Sequence, residues 1–447
     1  MATGNFIFKF KKEPSARAVA DNVIRVPNLD DKTVQFGAHD FVLNGDASGV
    51  DISNAGDLIK YMRFSNETTF PTTDKMPEGF NPEQVLQDGI NPGLHIDDLH
   101  AAGITGKGIT VAIIDQALNT EHVEIKDNIV HYESIGYPEN KTADYHGTVV
   151  SSLLAGKTLG VAPEAKVVYF AATNVKDVSE KLFADPEIKE AVSKHLPDNV
   201  KYDDFVADIK NKKHVTDKAF QQLIRDLMQQ LPPAIVKRIE NGTREVCFEN
   251  YASALRKILF MNARLPKDKK ISAVSISWGM LHEDPESTKL IKMLIESGVM
   301  VLTTDSYRFY DKNAAFTTID RKMNSDANDV ESYDAGFWKN YKGQDENKLL
   351  VPAGGRTIAG FYDNTQYIYS GVNAGMSWAT PYLVGVYALA KQVMPTLTPE
   401  HFFAVAHQVG ASNEKLGNNV VIQPQKIIEY LQNENLLQKQ NLEAKGR

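Results

Sequence analysis

A chain of 447 residues is long enough for one large α/β domain or two of ordinary size. An apolar share of 42% supports a sizeable core, and a formal net charge of −8 gives no electrostatic reason to expect nucleic acid or an anionic membrane as partner. Cys247 is the only cysteine, which excludes an intrachain disulfide and a cysteine-based metal cluster.

From Met1 to Val23 a mild alternation (Phe6, Phe8, Phe10) gives way to polar residues, without the unbroken apolar run of a secretory signal. No stretch reaches the roughly 18–20 apolar residues that span a bilayer. With a lone thiol, these features predict a reducing, cytoplasmic location, and an exported alternative stays open. Residues 1–95 read as an N-terminal extension, either a propeptide or a subdomain. Short extended segments at Thr33 to Phe36 and Phe41 to Leu43 alternate with turn-forming Asn, Asp and Gly. Pro71, Pro77, Pro82 and Pro92 mark its second half as a connecting arm.

From residue 96 the pattern becomes α/β. Ile109 to Ile114 is a strand-length run, apolar but for Thr110, as expected of a parallel strand buried on both faces. Gly147 to Gly156 has the small residues of a closely packed helix, and Lys166 to Ala171 is a second buried strand. Residues 174–246 turn charge-rich and read as a helical insertion. Within it Phe220, Leu223, Ile224, Leu227, Met228 and Leu231 form one apolar stripe on a helix that Pro232-Pro233 ends.

Beyond residue 246 the alternation resumes. A helix over Tyr251 to Ala263 leads to a strand at Ile271 to Ser277, and a helix around Leu290 to Glu296 leads to a strand at Val299 to Thr303. A polar helix and tail close the chain from Lys426 to Arg447. The expected fold class is α/β, with a mostly parallel central sheet covered by helices on both faces.

Three segments carry chemistry. Gly375-Met376-Ser377-Trp378-Ala379-Thr380-Pro381 opens a helix that runs through Gln392. A serine nucleophile gains from this position, because free backbone N–H groups and the positive end of the helix dipole stabilise a developing oxyanion. Pro381 is tolerable because first-turn N–H groups have no intrahelical partner. On this heptapeptide alone, an ordinary serine N-cap reads the same way. His146-Gly147-Thr148 begins the small-residue helix and continues into Gly160-Val161-Ala162-Pro163. An imidazole there can serve as base and then acid near neutral pH, although a His-Gly pair at a helix start is often structural. Val111-Ala112-Ile113-Ile114-Asp115 puts a carboxylate at the C-terminal end of a buried strand, where open α/β sheets place their sites. A turn residue or N-cap is the plainer account of that Asp taken singly.

Together these segments, in the order Asp, His, Ser, resemble the subtilisin-like serine peptidases over about Asn91 to Leu431, with the insertion as an interruption. The resemblance implies a peptidase domain over 96–431, with 432–447 as a C-terminal tail. It implies a catalytic triad of Asp115, His146 and Ser377, a protein or peptide substrate and an acyl-enzyme intermediate. Val274-Ser275-Ile276-Ser277-Trp278-Gly279 resembles the family's edge strand that pairs with substrate backbone, so Ser275, Ser277, Trp278 and Gly279 are expected at the substrate. Trp278 is bulky for that place. Val351 to Tyr369 resembles the strand pair before the nucleophile.

The family normally supplies an Asn to the oxyanion hole after the strand matched here by Ser297 to Leu302. This chain has Thr303-Thr304-Asp305 instead, so the expected hole is the Ser377 backbone N–H with Asp305, and Asn373 is a weaker substitute. An ionised carboxylate about 4 Å from an oxyanion costs on the order of 4 kcal/mol at an effective dielectric of about 20. A slow or narrowly specific enzyme is therefore expected. Only Lys157, Thr158 and Leu159 separate Gly156 from Gly160, so the family's calcium loop there is not expected, nor any metal or cofactor in the chemistry. Two rivals stay open: a catalytically silent relative binding a peptide or partner in the same groove, and an esterase. The oligomeric state is left undetermined.

Overall fold

The computed structural model describes residues 23–27, 41–136, 143–172, 182–210, 218–335, 347–372, 374–412, 416 and 418–445. The expected extended segment at Thr33 to Phe36 lies outside them.

In chain order the first half forms β1 (Val23–Arg25), β2 (Val42–Asn44), β3 (Arg63–Ser65), α1 (Pro82–Asp88), α2 (Ile96–Ala101), β4 (Thr110–Asp115), β5 (Ile129–Ile135), α3 (Tyr145–Ala155), β6 (Lys166–Ala172), α4 (Pro186–His195), α5 (Tyr202–Lys210) and α6 (Lys218–Gln230). The second half forms α7 (Pro233–Arg264), β7 (Ile271–Ile276), α8 (Pro285–Glu296), β8 (Met300–Thr303), β9 (Phe316–Arg321), β10 (Tyr333–Ala335), β11 (Leu349–Pro352), β12 (Arg356–Ala359), β13 (Tyr367–Ser370), α9 (Met376–Val393), α10 (Pro399–Val409), β14 (Ala411–Ser412), β15 (Val420–Val421) and α11 (Pro424–Lys445).

The central sheet has the order β5-β6-β4-β7-β8 and every pairing in it is parallel. Its strands are apolar on both faces because both faces are covered. Val111 and Ile113 of β4 point into a cluster with Val149, Val150 and Leu153 of α3 and Leu383 and Val386 of α9. Ala112 and Ile114, one residue out of phase, point into a second cluster with Leu255 and Ile258 of α7 and Ile291 and Leu294 of α8. The expected α/β class, a parallel sheet between helical layers, is the observed one.

Two smaller sheets flank this core, in the orders β10-β9-β11-β15-β14 and β1-β2-β3-β13-β12. The expected strand pair over Val351 to Tyr369 divides between them. β11 joins the first, and β12 and β13 form an antiparallel hairpin in the second, where β13 also pairs with β3.

Residues 182–246 carry their own apolar cluster of Ile188, Val192, Phe205, Phe220 and Leu227. The striped helix is α6, and its stripe packs inward. α7 does not start near Tyr251 but at Pro233, with proline in its first turn, and runs unbroken past residue 246 to the sheet. Among the described residues no helix is long and apolar enough to cross a membrane.

The edge strand β5 is tied to α7 by Glu133, whose Oε1 lies 2.8 Å from Lys257 Nζ and whose Oε2 lies 3.4 Å from His131 Nε2. His131 and the Lys257 ammonium hold this carboxyl at about 2, against the opposing effect of partial burial. A depressed carboxyl contributes stability above its ordinary range and loses it as pH falls toward the folded value. Glu133→Gln is therefore expected to lower stability near neutral pH by about 1 kcal/mol or less given its partial exposure, seen as a reduced thermal midpoint. Melting curves of both proteins should converge as the pH is taken from about 5 toward 2.

Candidate active site

Asp115 is the last residue of β4, at the C-terminal edge of the central sheet, and its side chain is buried. Oδ1 accepts the backbone N–H of Gln116 at 2.8 Å and faces His146 Nδ1 at 2.7 Å. The imidazole keeps about a quarter of its side-chain surface exposed. Tyr251 of α7 stands behind the carboxylate. Burial, then the charge of Asp115, raises its phenol well above the ordinary range.

His146 is the second residue of α3, which Asp144 caps by accepting the Tyr145 N–H at 2.9 Å. Gly147 follows for a steric reason. A Cβ there would collide with the Gln116 carbonyl and the Tyr169 hydroxyl, which are themselves hydrogen-bonded to each other. The glycine thus lets α3 lie against the exit of β4 and brings the imidazole to the carboxylate.

Ser377 is the second residue of α9, a helix whose N-cap Gly375 makes no side-chain cap bond. A Cβ at Gly375 would meet nothing within 4 Å, so the space before the helix is open. The Ser377 hydroxyl donates to the Ser277 carbonyl at 3.2 Å, and the Ser277 hydroxyl donates to the Ser377 carbonyl at 2.7 Å. This reciprocal pair fixes the start of α9 to the residue just past β7. α9 also packs along α3.

The segment read as an edge strand needs correction. β7 lies inside the sheet, with β4 on one flank and β8 on the other. Ser275 pairs with Ile113 and with Leu302 and is 1% exposed, so its main chain has no free edge for a substrate. Ser277, Trp278 and Gly279 lie beyond the paired register. The Trp278 ring turns away onto Tyr251 and Phe248, at centroid distances of 4.8 and 5.5 Å.

Asp305 follows β8 and stands beside this segment, since a Cβ on Gly279 would lie 3.5 Å from its Cγ. Its Oδ1 accepts the Thr303 hydroxyl at 2.8 Å, and its Oδ2 is 2.6 Å from Nδ1 of His282. Sequence reasoning missed His282 and Tyr251, because no motif spacing links either to its carboxylate. Asn373 lies outside the described residues.

The short turn after α3 is held by Glu124, another residue the sequence did not single out. Its carboxylate accepts the Thr158 N–H and hydroxyl, the Leu159 N–H and the Tyr367 hydroxyl, at 2.7 to 3.2 Å. Burial and this carboxylate raise the Tyr367 phenol. Among the described residues no group of three or more His, Cys, Asp or Glu side chains could hold a metal ion.

The Subtilase family matches residues 106–355, more than half of the chain, a span that includes Asp115 and His146 and stops short of Ser377. Among curated proteins, "Subtilisin-like protease 3" of Pseudogymnoascus destructans is 24% identical over 191 residues, covering 36% of this chain and 46% of that protein. The "Major intracellular serine protease" of Bacillus subtilis is 34% identical over 94 residues, covering 19% and 29%. The chain therefore spans less than half the length of these relatives. Among solved structures, a subtilase cytotoxin SubAB assembly aligns with a TM-score of 0.46 and 13% identity over 78% of this chain and 97% of that one. The prenylagaramide maturation protease PagA aligns with a TM-score of 0.43 and 12% identity over 75% and 98%.

Gly147 gives the site its sharpest steric test. Gly147→Ala is expected to destabilise the fold by roughly 1–3 kcal/mol, because backbone must move to admit the methyl group. It should also lengthen the Asp115–His146 contact. Denaturant unfolding and a structure of the variant check both effects.

Proposed function

The chain belongs to the subtilase family, and from that membership we propose that it is a serine endopeptidase working through Asp115, His146 and Ser377. The observation that carries the reading is the 2.7 Å contact between His146 Nδ1 and Asp115, the carboxylate–imidazole half of such a triad.

In the proposed mechanism the Ser377 hydroxyl swings about its χ1 from the Ser277 carbonyl to His146 Nε2. His146 takes the proton as Oγ attacks a peptide carbonyl, and Asp115 holds the ring and stabilises the imidazolium. His146 then protonates the leaving amine. Water enters and gives a proton to His146 as it attacks the acyl-enzyme, and His146 returns that proton to Ser377 Oγ as the acyl–oxygen bond breaks and the acid leaves. The Ser377 backbone N–H at the helix start receives the oxyanion, with residue 305 beside it. Ser277, Trp278 and Gly279 run next to the nucleophile and suit a main-chain contact with an extended peptide, which favours a protein or peptide substrate.

Asp305 sets the rate in this account. A carboxyl donates to an oxyanion only through an O–H, whereas an amide in its place donates through N–H. Losing one oxyanion donor costs roughly 2.7–4 kcal/mol, about a hundred- to a thousandfold in kcat. Asp305→Asn is accordingly expected to keep or raise kcat on casein, and a large fall would place the donor elsewhere. The mutual bond of Ser277 and Ser377 also suits a silent relative that merely binds peptides.

A fluorophosphonate probe separates the two readings. The peptidase reading expects stoichiometric labelling of the wild type, lost in Ser377→Ala. A wild type that resists the probe while still binding peptide supports the silent relative.

A further inference from the structure

Residues 41–92 are woven into the side of the molecule that presents the site. β3 pairs with β13, matching Ser65 to Ile368, Phe64 to Tyr369 and Arg63 to Ser370. The pairing continues past the strands, as Gly371 N–H donates to the Met62 carbonyl at 3.0 Å and Val372 N–H to the Lys60 carbonyl at 2.8 Å. A Cβ on Gly371 would collide with the Lys60 carbonyl, so the two chains run in close contact shortly before Ser377.

The apolar side is shared as well. Tyr369 is 2% exposed and packs with Phe41, Leu43, Met62, Phe64 and Val85. Further along, the Thr357 N–H donates to the Gly89 carbonyl at 2.9 Å, and the Arg321 guanidinium donates to the Asp88 and Asn91 carbonyls at 2.8 and 3.1 Å.

One side chain of this segment reaches the histidine helix. The Arg63 guanidinium carbon lies 4.0 Å from the ring centroid of Tyr145, the residue immediately before His146. The other side of that ring system meets Phe361 edge-on at 5.7 Å, on the chain that joins β12 to β13. A cation stacked on the ring is attracted to its face, and a planar guanidinium does so without giving up its in-plane donors. β3 thus contacts both approaches to the triad: the strand that leads to Ser377 by backbone bonds, and the start of α3 by Arg63.

We propose that residues 41–92 are a permanent part of the catalytic unit rather than a removable propeptide, and that Arg63 is a positioning residue acting on His146 through Tyr145. This rests on the peptidase reading for its catalytic consequence, and on the shared sheet and core alone for the retention of the segment. Removing the segment would strip β13 of one of its two partner strands and bare the Tyr369 side of the cluster.

The test uses the full-length chain, with wild type, Arg63→Ala and Arg63→Lys treated with a fluorophosphonate. The probe-bearing wild type should show an intact mass, under denaturing conditions, that still includes residues 41–92. Arg63→Ala should label at a saturating rate slower by about tenfold, with the half-saturating probe concentration unchanged, because a misplaced imidazole slows chemistry and not binding. Arg63→Lys should recover part of that rate. A labelled species that begins beyond residue 92, or an Arg63→Ala protein that labels at the wild-type rate, overturns the proposal. If the wild type takes up no probe, the peptidase reading fails. The clamp is then judged by heat: a lower melting point in Arg63→Ala supports it and an unchanged one overturns it.

Discussion

The hydrogen bond between Asp115 and His146 is the constraint that the rest of the site depends on. It requires a carboxylate at the end of a fully buried strand, and burial of an ion is tolerable only with donors in place. Gln116 N–H and His146 Nδ1 are those donors, both on Oδ1. It also requires α3 to lie hard against the exit of β4, and Gly147 makes that approach sterically admissible. Glu124 then fixes the turn at the far end of α3, so the helix is held at both ends by carboxylates. The end of β4, the start of α3 and the turn that Glu124 holds thereby define where one imidazole sits.

The reciprocal Ser277–Ser377 bonds tie the proposed nucleophile to the segment just past β7. In the proposed mechanism, substrate entry and release of the hydroxyl are linked, because a chain lying along Ser277 to Gly279 competes for the same carbonyl.

The central layers were legible in the sequence because their signals are local. The apolar run ending at Asp115, the small residues after His146 and the long helix opened by Gly375 each specify an element by themselves. The sheet of β1, β2, β3, β13 and β12 was not legible. Strands of three or four residues, paired across some three hundred positions, leave no periodic pattern. An internal strand and an edge strand read alike as apolar runs, so only the pairing with β8 reveals that β7 is enclosed. α7 was read too short because Asn241, Gly242 and Thr243 weaken the helical signal locally. Tertiary packing overrides that weakness, with Leu182 lying against Gly242. At the candidate site, Asp115, His146 and Ser377 stand out by motif, whereas Tyr251, His282 and Glu124 sit beside it through contacts that no spacing announces.

Proton NMR of the imidazole region tests the central claim most directly. A short His146 Nδ1–H bond to a buried carboxylate gives a far-downfield resonance, absent from His146→Ala, and the account predicts that it moves when Ser377 is phosphonylated and the ring becomes an imidazolium. A resonance indifferent to modification of Ser377, or none at any pH in the folded protein, would contradict a working connection between carboxylate, imidazole and hydroxyl.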